Sequence, residues 1–269
     1  MIKLGLIGYP LGHSLSPLMH KAALAEEGIP GDYVLFETAP EELKDRVDYL
    51  KNNNFRGFNV TIPHKVAIME YLDKIDNFAL KVGAVNTVII DENKKLFGYN
   101  TDVYGFIHAI PTDIRHNLNN KNAAIIGSGG ATRAIIEGMT ALGIKEVKIF
   151  TLESELEKAK ELGVNCFVLN EKVNLEGISL VVNATPVGME GKFEGVSSLS
   201  QYSLDSLPQD ALVYDIVYKP RKTKLMEMAE ARNLTTLGGL EMLVLQGARA
   251  FHLWTGLEAS VDTMRAAIL

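Results

Sequence analysis

Lys65 and Asp102 are the two residues of this 269-residue sequence best suited to proton transfer. Each follows a predicted strand, residues 58–62 and 96–99, in a stretch rich in polar side chains. A lysine in a partly dry cleft can donate or accept a proton, and a carboxylate beside it would orient it and share a substrate's hydroxyl proton. Taken alone, Lys65 could equally be an exposed surface lysine.

Polar side chains also occupy predicted strand ends and loops where apolar ones would pack better. A buried amide, hydroxyl or charge costs free energy unless it is paired. Turn and cap chemistry explains any single one of them, for example Ser16 as the N-cap of a helix with Pro17 in its first turn. Taken together they predict a polyhydroxylated ligand with a carboxylate, because ligands of open α/β sheets bind at such ends. The segments are residues 13–17, 59–65, 83–87 and 98–102.

A glycine-rich turn joins the apolar strand at residues 123–126 to an amphipathic helix that stops at Gly143. Gly127 permits the tight turn, Gly129 lets the backbone approach a pyrophosphate, and the helix N-terminus offers free N–H groups to the anion. The sixth position of this dinucleotide fingerprint is Thr132 instead of glycine. A strand-to-helix turn without a ligand is the alternative interpretation.

The end of the next strand, residues 147–151, bears on the choice of cofactor. An acid there hydrogen-bonds the ribose hydroxyls of NAD, whereas an arginine accommodates the 2′-phosphate of NADP. Residues 149–154 contain no arginine, and Glu153 is the nearest acid in the sequence. Arg133, on the side of the glycine loop, is an alternative contact for the phosphate. The residues alone slightly favour NAD.

Alternating strands and helices predict an α/β fold with a parallel sheet and helices on both of its faces. We expect residues 112–122 to form a loop. We expect residues 240–269 to be helical, with a break at Thr255-Gly256, and to pack back on the first domain. The predicted domains are residues 1–102, completed by 239–269, and residues 103–238.

Composition excludes several classes of protein. The hydrophobic fraction of 47% can build a full core, which excludes disorder, and the net charge of −6 argues against nucleic acid as the main partner. No apolar run approaches the roughly 18 residues of a membrane span, and no signal peptide is recognisable. Cys166 is the only cysteine, so no internal disulfide can form. We therefore expect a cytoplasmic protein.

The ordered motifs resemble those of the shikimate dehydrogenase family, and the resemblance covers essentially the whole chain. The substrate motifs that match are His13-Ser-Leu-Ser-Pro17, Asn59-Val-Thr-Ile-Pro63 with Lys65, Gly83-Ala-Val-Asn-Thr87 and Gly98-Tyr-Asn-Thr-Asp102. Those of the later part are Gly127-Ser-Gly-Gly-Ala131, Asn183-Ala-Thr-Pro-Val-Gly-Met189, Asp215-Ile-Val-Tyr218 with Pro220 and Thr223, and Gly239-Leu-Glu-Met-Leu-Val-Leu-Gln246.

The resemblance implies an α/β fold of two domains. These are an N-terminal substrate domain with a mixed sheet and a Rossmann-type, doubly wound dinucleotide-binding domain, with the active site in the cleft between them. It implies an oxidoreductase that reduces 3-dehydroshikimate to shikimate with NADPH, in the shikimate pathway of aromatic amino-acid biosynthesis. A small-molecule substrate, no nucleic acid, no membrane, and a monomer or homodimer are expected.

The resemblance also implies roles for individual residues. Lys65 is the catalytic acid/base, paired with Asp102. The residues that bind the substrate are Ser14 and Ser16 at its carboxylate, Tyr218 beside it, and Thr61, Asn86, Asp102 and Gln246 at its hydroxyls. The residues that contact the cofactor are Gly127, Ser128, Gly129, Gly130, Ala131, Thr151, Ile216 and Gly239. No metal is expected, because the six histidines lack metal-ligand spacing.

One departure from the family pattern concerns the cofactor. The family usually has Asn-Arg-Thr/Ser after the second strand of the nucleotide domain, whereas this chain has Phe150-Thr-Leu-Glu153. NAD use is therefore possible beside NADP. Alternative functions are a quinate/shikimate dehydrogenase that uses NAD and a non-catalytic ligand-binding relative. Serines at both 14 and 16 favour the shikimate branch, and the substrate motifs argue against a folate-type methylene dehydrogenase.

Overall fold

The computed structural model describes residues 1–12 and 14–269, so His13 of the first polar segment lies outside the described residues. The described chain divides into two compact units. The first unit is Met1–Gly105 together with Val244–Leu269, and the second unit is Phe106–Leu243. The division falls three residues after the expected boundary at 102 and five residues after that at 238.

The first unit contains a six-stranded mixed sheet in the order β2-β1-β3-β5-β6-β4. Its strands are β1 Ile2–Gly8, β2 Gly31–Glu37, β3 Gly57–Val60, β4 Lys74–Ile75, β5 Thr87–Ile90 and β6 Leu96–Tyr99. β1 runs parallel to β2 and β3, whereas β5 is antiparallel to both β3 and β6. Asp91 closes the β5–β6 hairpin by accepting from the backbone N–H groups of Asn93 and Lys95.

Helices surround this sheet. They are α1 Ser16–Glu26, α2 Leu43–Asn52, α3 Asn77–Val82, α4 Asp102–Ala109, which runs into the second unit, α10 Leu240–Thr255, which enters from it, and α11 Val261–Ala266. On α2 the buried residues Leu43, Val47 and Leu50 recur at helical spacing, so one apolar stripe faces the core. Ser16 is not the N-cap of α1: the cap is Leu15, whose side chain makes no capping hydrogen bond.

The second unit contains a six-stranded sheet in which every pair of neighbours is parallel. Its strands are β7 Asn122–Ile126, β8 Glu146–Thr151, β9 Asn165–Val168, β10 Ile178–Asn183, β11 Leu212–Asp215 and β12 Thr235–Gly238. Their order is β12-β11-β10-β7-β8-β9, which is the 3-2-1-4-5-6 order of the Rossmann fold read from the other edge. The apolar run of β7 follows from its place in the centre, where both faces are covered.

The helices of the second unit are α5 Thr112–Asn117, α6 Thr132–Ala141, α7 Leu156–Lys160, α8 Gln201–Asp205 and α9 Lys224–Glu230. The expectation of a loop over residues 112–122 is wrong, because Asp113 and Arg115 belong to the short helix α5. The predicted α/β class, with one mixed sheet and one Rossmann-type parallel sheet, is confirmed. Among the helices formed by residues 1–12 and 14–269, none is both long and apolar enough to cross a membrane.

Candidate functional site

Lys65 and Asp102 form a close ion pair in the first unit. Lys65 Nζ lies 2.6 Å from Asp102 Oδ2, and the two side chains are only 14% and 9% exposed. Asp102 is the first residue of α4, where the helix dipole favours a negative charge. The loop that carries Lys65 is held by a hydrogen bond of 2.8 Å from Val85 N to the Lys65 carbonyl oxygen. The predicted acid–base pair is therefore assembled in a largely buried place.

Asn86 holds the second oxygen of the Asp102 carboxylate. Its Nδ2 donates to Asp102 Oδ1 at 2.8 Å and to Thr101 Oγ1 at 3.0 Å. Its Oδ1 accepts from Thr101 N at 2.8 Å and from Thr87 Oγ1 at 2.9 Å. An amide has two donor hydrogens and two acceptor lone pairs, so these contacts fill the hydrogen-bonding capacity of Asn86. A substrate hydroxyl that bound Asn86 would displace one of them.

The network continues through residues to which the sequence analysis gave no role. Asn59 Nδ2 donates to Thr87 Oγ1 at 3.0 Å, and Tyr33 donates from its hydroxyl to Asn59 Oδ1 at 2.7 Å. Burial raises the pKa of the Tyr33 phenol, and Ser16 lowers that pKa in part. A continuous set of hydrogen bonds thus links Tyr33 to the ion pair of Lys65. Asn59 and Thr87 lie in segments that the sequence analysis singled out, whereas Tyr33 was missed; its signal was a phenol next to the apolar run Val34-Leu-Phe36 of β2.

The other predicted substrate residues of the first unit are Ser14, Thr61 and Gln246. Ser14 Oγ accepts from Ser16 N at 3.3 Å. Thr61 directly follows β3, and its backbone N donates to Ile7 O at 2.9 Å. Gln246 lies on α10, with Oε1 3.4 Å from Thr101 Oγ1. The first unit therefore holds all predicted substrate residues except Tyr218, which follows β11 of the second unit.

The glycine loop of the second unit fits a dinucleotide pyrophosphate. Gly127 has φ +97, a conformation that favours glycine, and at Gly129 an added Cβ would meet only Ala184 O, at 3.8 Å. The loop is followed directly by α6, whose start has no side-chain cap, so backbone N–H groups are available to an anion. Thr132, at the sixth position of the fingerprint, donates from its hydroxyl to Gly127 O at 3.2 Å and so stabilises the turn. Gly130 and Ala131 complete the loop before the helix.

An acid does reach the glycine loop, but it is Glu155 and not Glu153, the nearer acid in the sequence. Ser128 Oγ lies 2.9 Å from Glu155 Oε2 and 3.0 Å from Thr151 Oγ1 at the end of β8. The single hydroxyl proton of Ser128 is donated to the carboxylate, so Thr151 is the donor to Ser128. The contact arises because residues 153–155 form one turn of 3-10 helix that turns the third residue back toward the loop.

Ile216 and Gly239 meet at the carboxyl ends of β11 and β12. Any side chain at Gly239 would collide with the backbone of Ile216, and Gly239 N donates to Val217 O at 3.1 Å. Asp215 fixes this segment by accepting from Thr223 Oγ1 at 2.6 Å, and burial raises the pKa of its carboxyl. Burial likewise raises the pKa of the Tyr218 phenol. All the predicted cofactor residues therefore lie at or just after the carboxyl ends of strands of the parallel sheet.

Metal ligation has no basis in the described part of the chain. Among residues 1–12 and 14–269, no group of three or more His, Cys, Asp or Glu side chains is arranged to hold an ion. The first unit brings together an ammonium–carboxylate pair with hydroxyl and amide groups around it.

Comparison with known proteins assigns this architecture to a family. The family models for the shikimate dehydrogenase substrate binding domain and the shikimate 5′-dehydrogenase C-terminal domain match residues 6–88 and 239–269. A shikimate dehydrogenase (NADP(+)) from Methanocaldococcus jannaschii is 39% identical over 278 residues, covering 99% of this chain and 95% of the relative. The chain belongs to the shikimate dehydrogenase family. The membership predicted from the motifs is confirmed.

Solved structures of shikimate dehydrogenases have the same fold. A crystal structure of a shikimate dehydrogenase in complex with NADP+ matches with a TM-score of 0.90 and 37% identity, covering 100% of this chain and 94% of the other. The shikimate 5-dehydrogenase of Listeria monocytogenes, in complex with shikimate and NAD, matches with a TM-score of 0.87 and 37% identity, covering 100% and 96%. The roles of individual residues of this chain stay predictions.

Proposed function

We propose that this chain is an NADP-dependent shikimate dehydrogenase, which reduces 3-dehydroshikimate to shikimate in aromatic amino-acid biosynthesis. The observation that carries the proposal is the buried pair of Lys65 and Asp102, held by Asn86 within the unit that matches the family's substrate-binding domain. A non-catalytic ligand-binding relative would not need an ammonium group fixed at 2.6 Å from a carboxylate.

Lys65 provides the proton in this reaction. Its ammonium group donates a proton to the carbonyl oxygen of 3-dehydroshikimate while the carbonyl carbon accepts a hydride, so that C=O becomes CH–OH. Lys65 is left as a neutral amine and regains a proton from water, and in the reverse direction it takes the proton of the shikimate hydroxyl. Asp102 orients the ammonium group, and Asn86 in turn fixes Asp102. NADPH, when bound, supplies the hydride.

The first unit is proposed to bind the substrate, and the second unit to bind the dinucleotide. Ser14 and Ser16 would donate hydrogen bonds to the substrate carboxylate, with Tyr218 beside it. Hydroxyl groups can bind a carboxylate without burying a permanent charge of their own. The hydroxyls of the substrate would bind Thr61, Asn86, Asp102 and Gln246. The predicted cleft between the domains stays part of the proposal.

The dinucleotide would lie on the glycine loop of the second unit. Gly127 and Gly129 leave room for the pyrophosphate, and the first turn of α6 offers N–H groups to it. Ser128 and Thr151 would face the adenosine ribose, because in this fold the ribose binds near the carboxyl end of the second strand, here β8. The remaining predicted contacts are Gly130, Ala131, Ile216 and Gly239.

A spectrophotometric assay tests the proposal. Oxidation of shikimate and of quinate is followed separately, each with NADP and with NAD, by the absorbance of the reduced nicotinamide. We expect turnover of shikimate with NADP. Turnover of quinate but not shikimate would replace the proposal by the quinate alternative, and no turnover of either would favour the ligand-binding one.

We also propose that the protein is cytoplasmic. Its single cysteine, Cys166, cannot form an internal disulfide, which is typical of proteins in a reducing compartment. The expectation of a monomer or homodimer stays a prediction that sedimentation of the purified chain can test.

A further inference from the structure

Glu155 lies in the turn that follows β8, the second strand of the second unit, after which this fold binds the adenosine ribose of a dinucleotide. Its Oε2 accepts from Ser128 Oγ at 2.9 Å, and Ser128 is also 3.0 Å from Thr151 Oγ1. The carboxylate is therefore fixed between the glycine loop and the carboxyl end of β8, although the residue is exposed. A carboxylate can accept about four hydrogen bonds, so the bond from Ser128 leaves it capacity for a ligand.

The sequence immediately around Glu155 is acidic. Residues 151–157 include the three acids Glu153, Glu155 and Glu157 and no basic residue. The nearest cations along the chain are Lys158 and Lys160, and Lys160 is already paired with Glu157 at 2.6 Å. Leu152, where the family usually has arginine, is exposed and can give a phosphate neither charge nor hydrogen bond.

These contacts suit a ribose hydroxyl better than a phosphate. In this fold an acid after the second strand accepts hydrogen bonds from the ribose hydroxyls of NAD, whereas the 2′-phosphate of NADP calls for an arginine. A phosphate brought next to Glu155 would meet a like charge and lose the hydrogen bond that the ribose hydroxyl would donate. The glycine loop fits the pyrophosphate of both dinucleotides. Only the 2′-phosphate of NADP therefore fits this unit poorly.

We propose that Glu155 is a specificity-determining residue that weakens the preference for a 2′-phosphate, so that this chain uses NAD beside NADP. The inference rests on the proposed function, because it requires that the glycine loop hold a nicotinamide dinucleotide. It differs from what the family pattern alone implies, since the acid that matters is fixed by its contact with Ser128 and lies outside the expected segment 150–153.

The test is binding of two fragments that lack nicotinamide, ADP-ribose and its 2′-phosphorylated form, to the full-length protein by calorimetry. Glu155→Gln keeps the size of the side chain and removes its charge. We expect it to weaken ADP-ribose and tighten the 2′-phosphorylated form, changing the ratio of their dissociation constants by roughly tenfold or more, as loss of one charge-assisted contact implies. Glu153→Gln is the matched control and should leave the ratio unchanged.

A second variant tests the same site without altering Glu155. Leu152→Arg adds the cation that the family usually has, and should tighten the 2′-phosphorylated fragment by roughly ten- to a hundredfold. The inference is overturned if Glu155→Gln leaves the ratio unchanged, if Glu153→Gln shifts it equally, or if the wild type prefers the 2′-phosphorylated form by more than about a thousandfold, some 4 kcal/mol.

The two proposals fail in different ways. If both fragments bind and the ratio of their dissociation constants is the same in the wild type and in Glu155→Gln, only the inference on specificity is overturned. Binding as expected without turnover of shikimate overturns only the proposed reaction. If neither fragment binds, the assignment of the glycine loop is wrong and both are overturned.

Discussion

His20 stacks on Tyr33, with ring centroids 4.6 Å apart and planes 7° from parallel. Both rings are fully buried or nearly so, and neither ring nitrogen of His20 has a hydrogen-bond partner among residues 1–12 and 14–269. A buried polar group without a partner costs free energy, so other contacts of His20, such as its stacking on Tyr33, must offset that cost. The His20 ring packs against Tyr33, whose hydroxyl donates to Asn59, and this connects the stack to the proposed substrate site.

Acid should destabilise the first unit through His20. Burial lowers the pKa of His20 to about 3, whereas the unfolded chain titrates near 6.5. Between these values the unfolded state binds the proton and the folded state does not, so stability falls as the pH falls from 6.5 toward 3. The loss is about 1.4 kcal/mol per pH unit, or about 2 kcal/mol between pH 6.5 and 5.

Denaturant unfolding at several pH values measures this effect. Trp254 is the only tryptophan, and its ring centroid lies 5.2 Å from that of His20, so its fluorescence reports on the first unit. His20→Phe keeps an aromatic ring on Tyr33 and should flatten the pH dependence. The exposed His116 provides the control: His116→Gln should retain the wild-type slope. An unchanged slope in His20→Phe would show that other groups cause the acid sensitivity.

Removing the Tyr33 hydroxyl should destabilise the same unit. Tyr33→Phe leaves Asn59 Oδ1 without the donor that lies 2.7 Å away. An unpaired buried acceptor costs about 1–3 kcal/mol, whereas Tyr202→Phe, on an exposed tyrosine of the second unit, should cost almost nothing. The same unfolding assay applies, in a double-mutant cycle with Asn59→Ala. Strictly additive losses would mean that the two side chains do not stabilise each other.

The sequence predicted local features better than contacts between distant residues. Residues 127–131 were identified because a strand, a glycine turn and a helix are consecutive in the chain. Tyr33 was missed because it meets Asn59 only after β1 has paired with β2 on one side and β3 on the other. Glu155 was passed over for Glu153 because one turn of 3-10 helix decides which acid faces Ser128.

Errors at helix boundaries have an equally local physical cause. Ser16 before Pro17 has the composition of a cap, but Leu15 already has helical backbone angles, so the helix includes the serine. Helix α5 spans only six residues, too few for propensity to distinguish it from a polar loop. The family motifs nevertheless placed Ser16 among the substrate residues, a role that does not depend on capping.

Lys65→Ala should lower the turnover of shikimate by roughly 10²–10⁴-fold, as loss of a general acid–base group does. Asp102→Asn should be similarly damaging, because the lysine loses the carboxylate 2.6 Å away. Since the two groups act as a unit, the double variant should be far less impaired than the product of the single losses.

A lysine–aspartate pair on the surface of the same unit is the control for that experiment. Lys95 Nζ lies 2.7 Å from Asp73 Oδ1, with the lysine side chain 57% exposed. Lys95→Ala should leave turnover unchanged. If Lys65→Ala retained near-normal turnover with a folded protein, another group would have to supply the proton.

Ser16→Ala distinguishes substrate binding from helix capping. Because Leu15 and not Ser16 is the N-cap of α1, removal of the Ser16 hydroxyl should not cost the stability of a lost cap. It should instead raise the Michaelis constant for shikimate by roughly ten- to a hundredfold, the value of one hydrogen bond to a charged group, with little change in the maximal rate. The constant for the dinucleotide should stay the same.

Ser260 offers a matched serine that does cap a helix. Its Oγ accepts from Thr263 N at 3.2 Å at the start of α11, in the same unit as Ser16. Ser260→Ala should lower the free energy of unfolding by about 1 kcal/mol and leave the Michaelis constant unchanged. Ser16→Ala is thus expected to change the Michaelis constant, and Ser260→Ala the free energy of unfolding. If Ser16→Ala behaved like Ser260→Ala, losing stability with an unaltered Michaelis constant, the hydroxyl of Ser16 would have no part in holding the carboxylate.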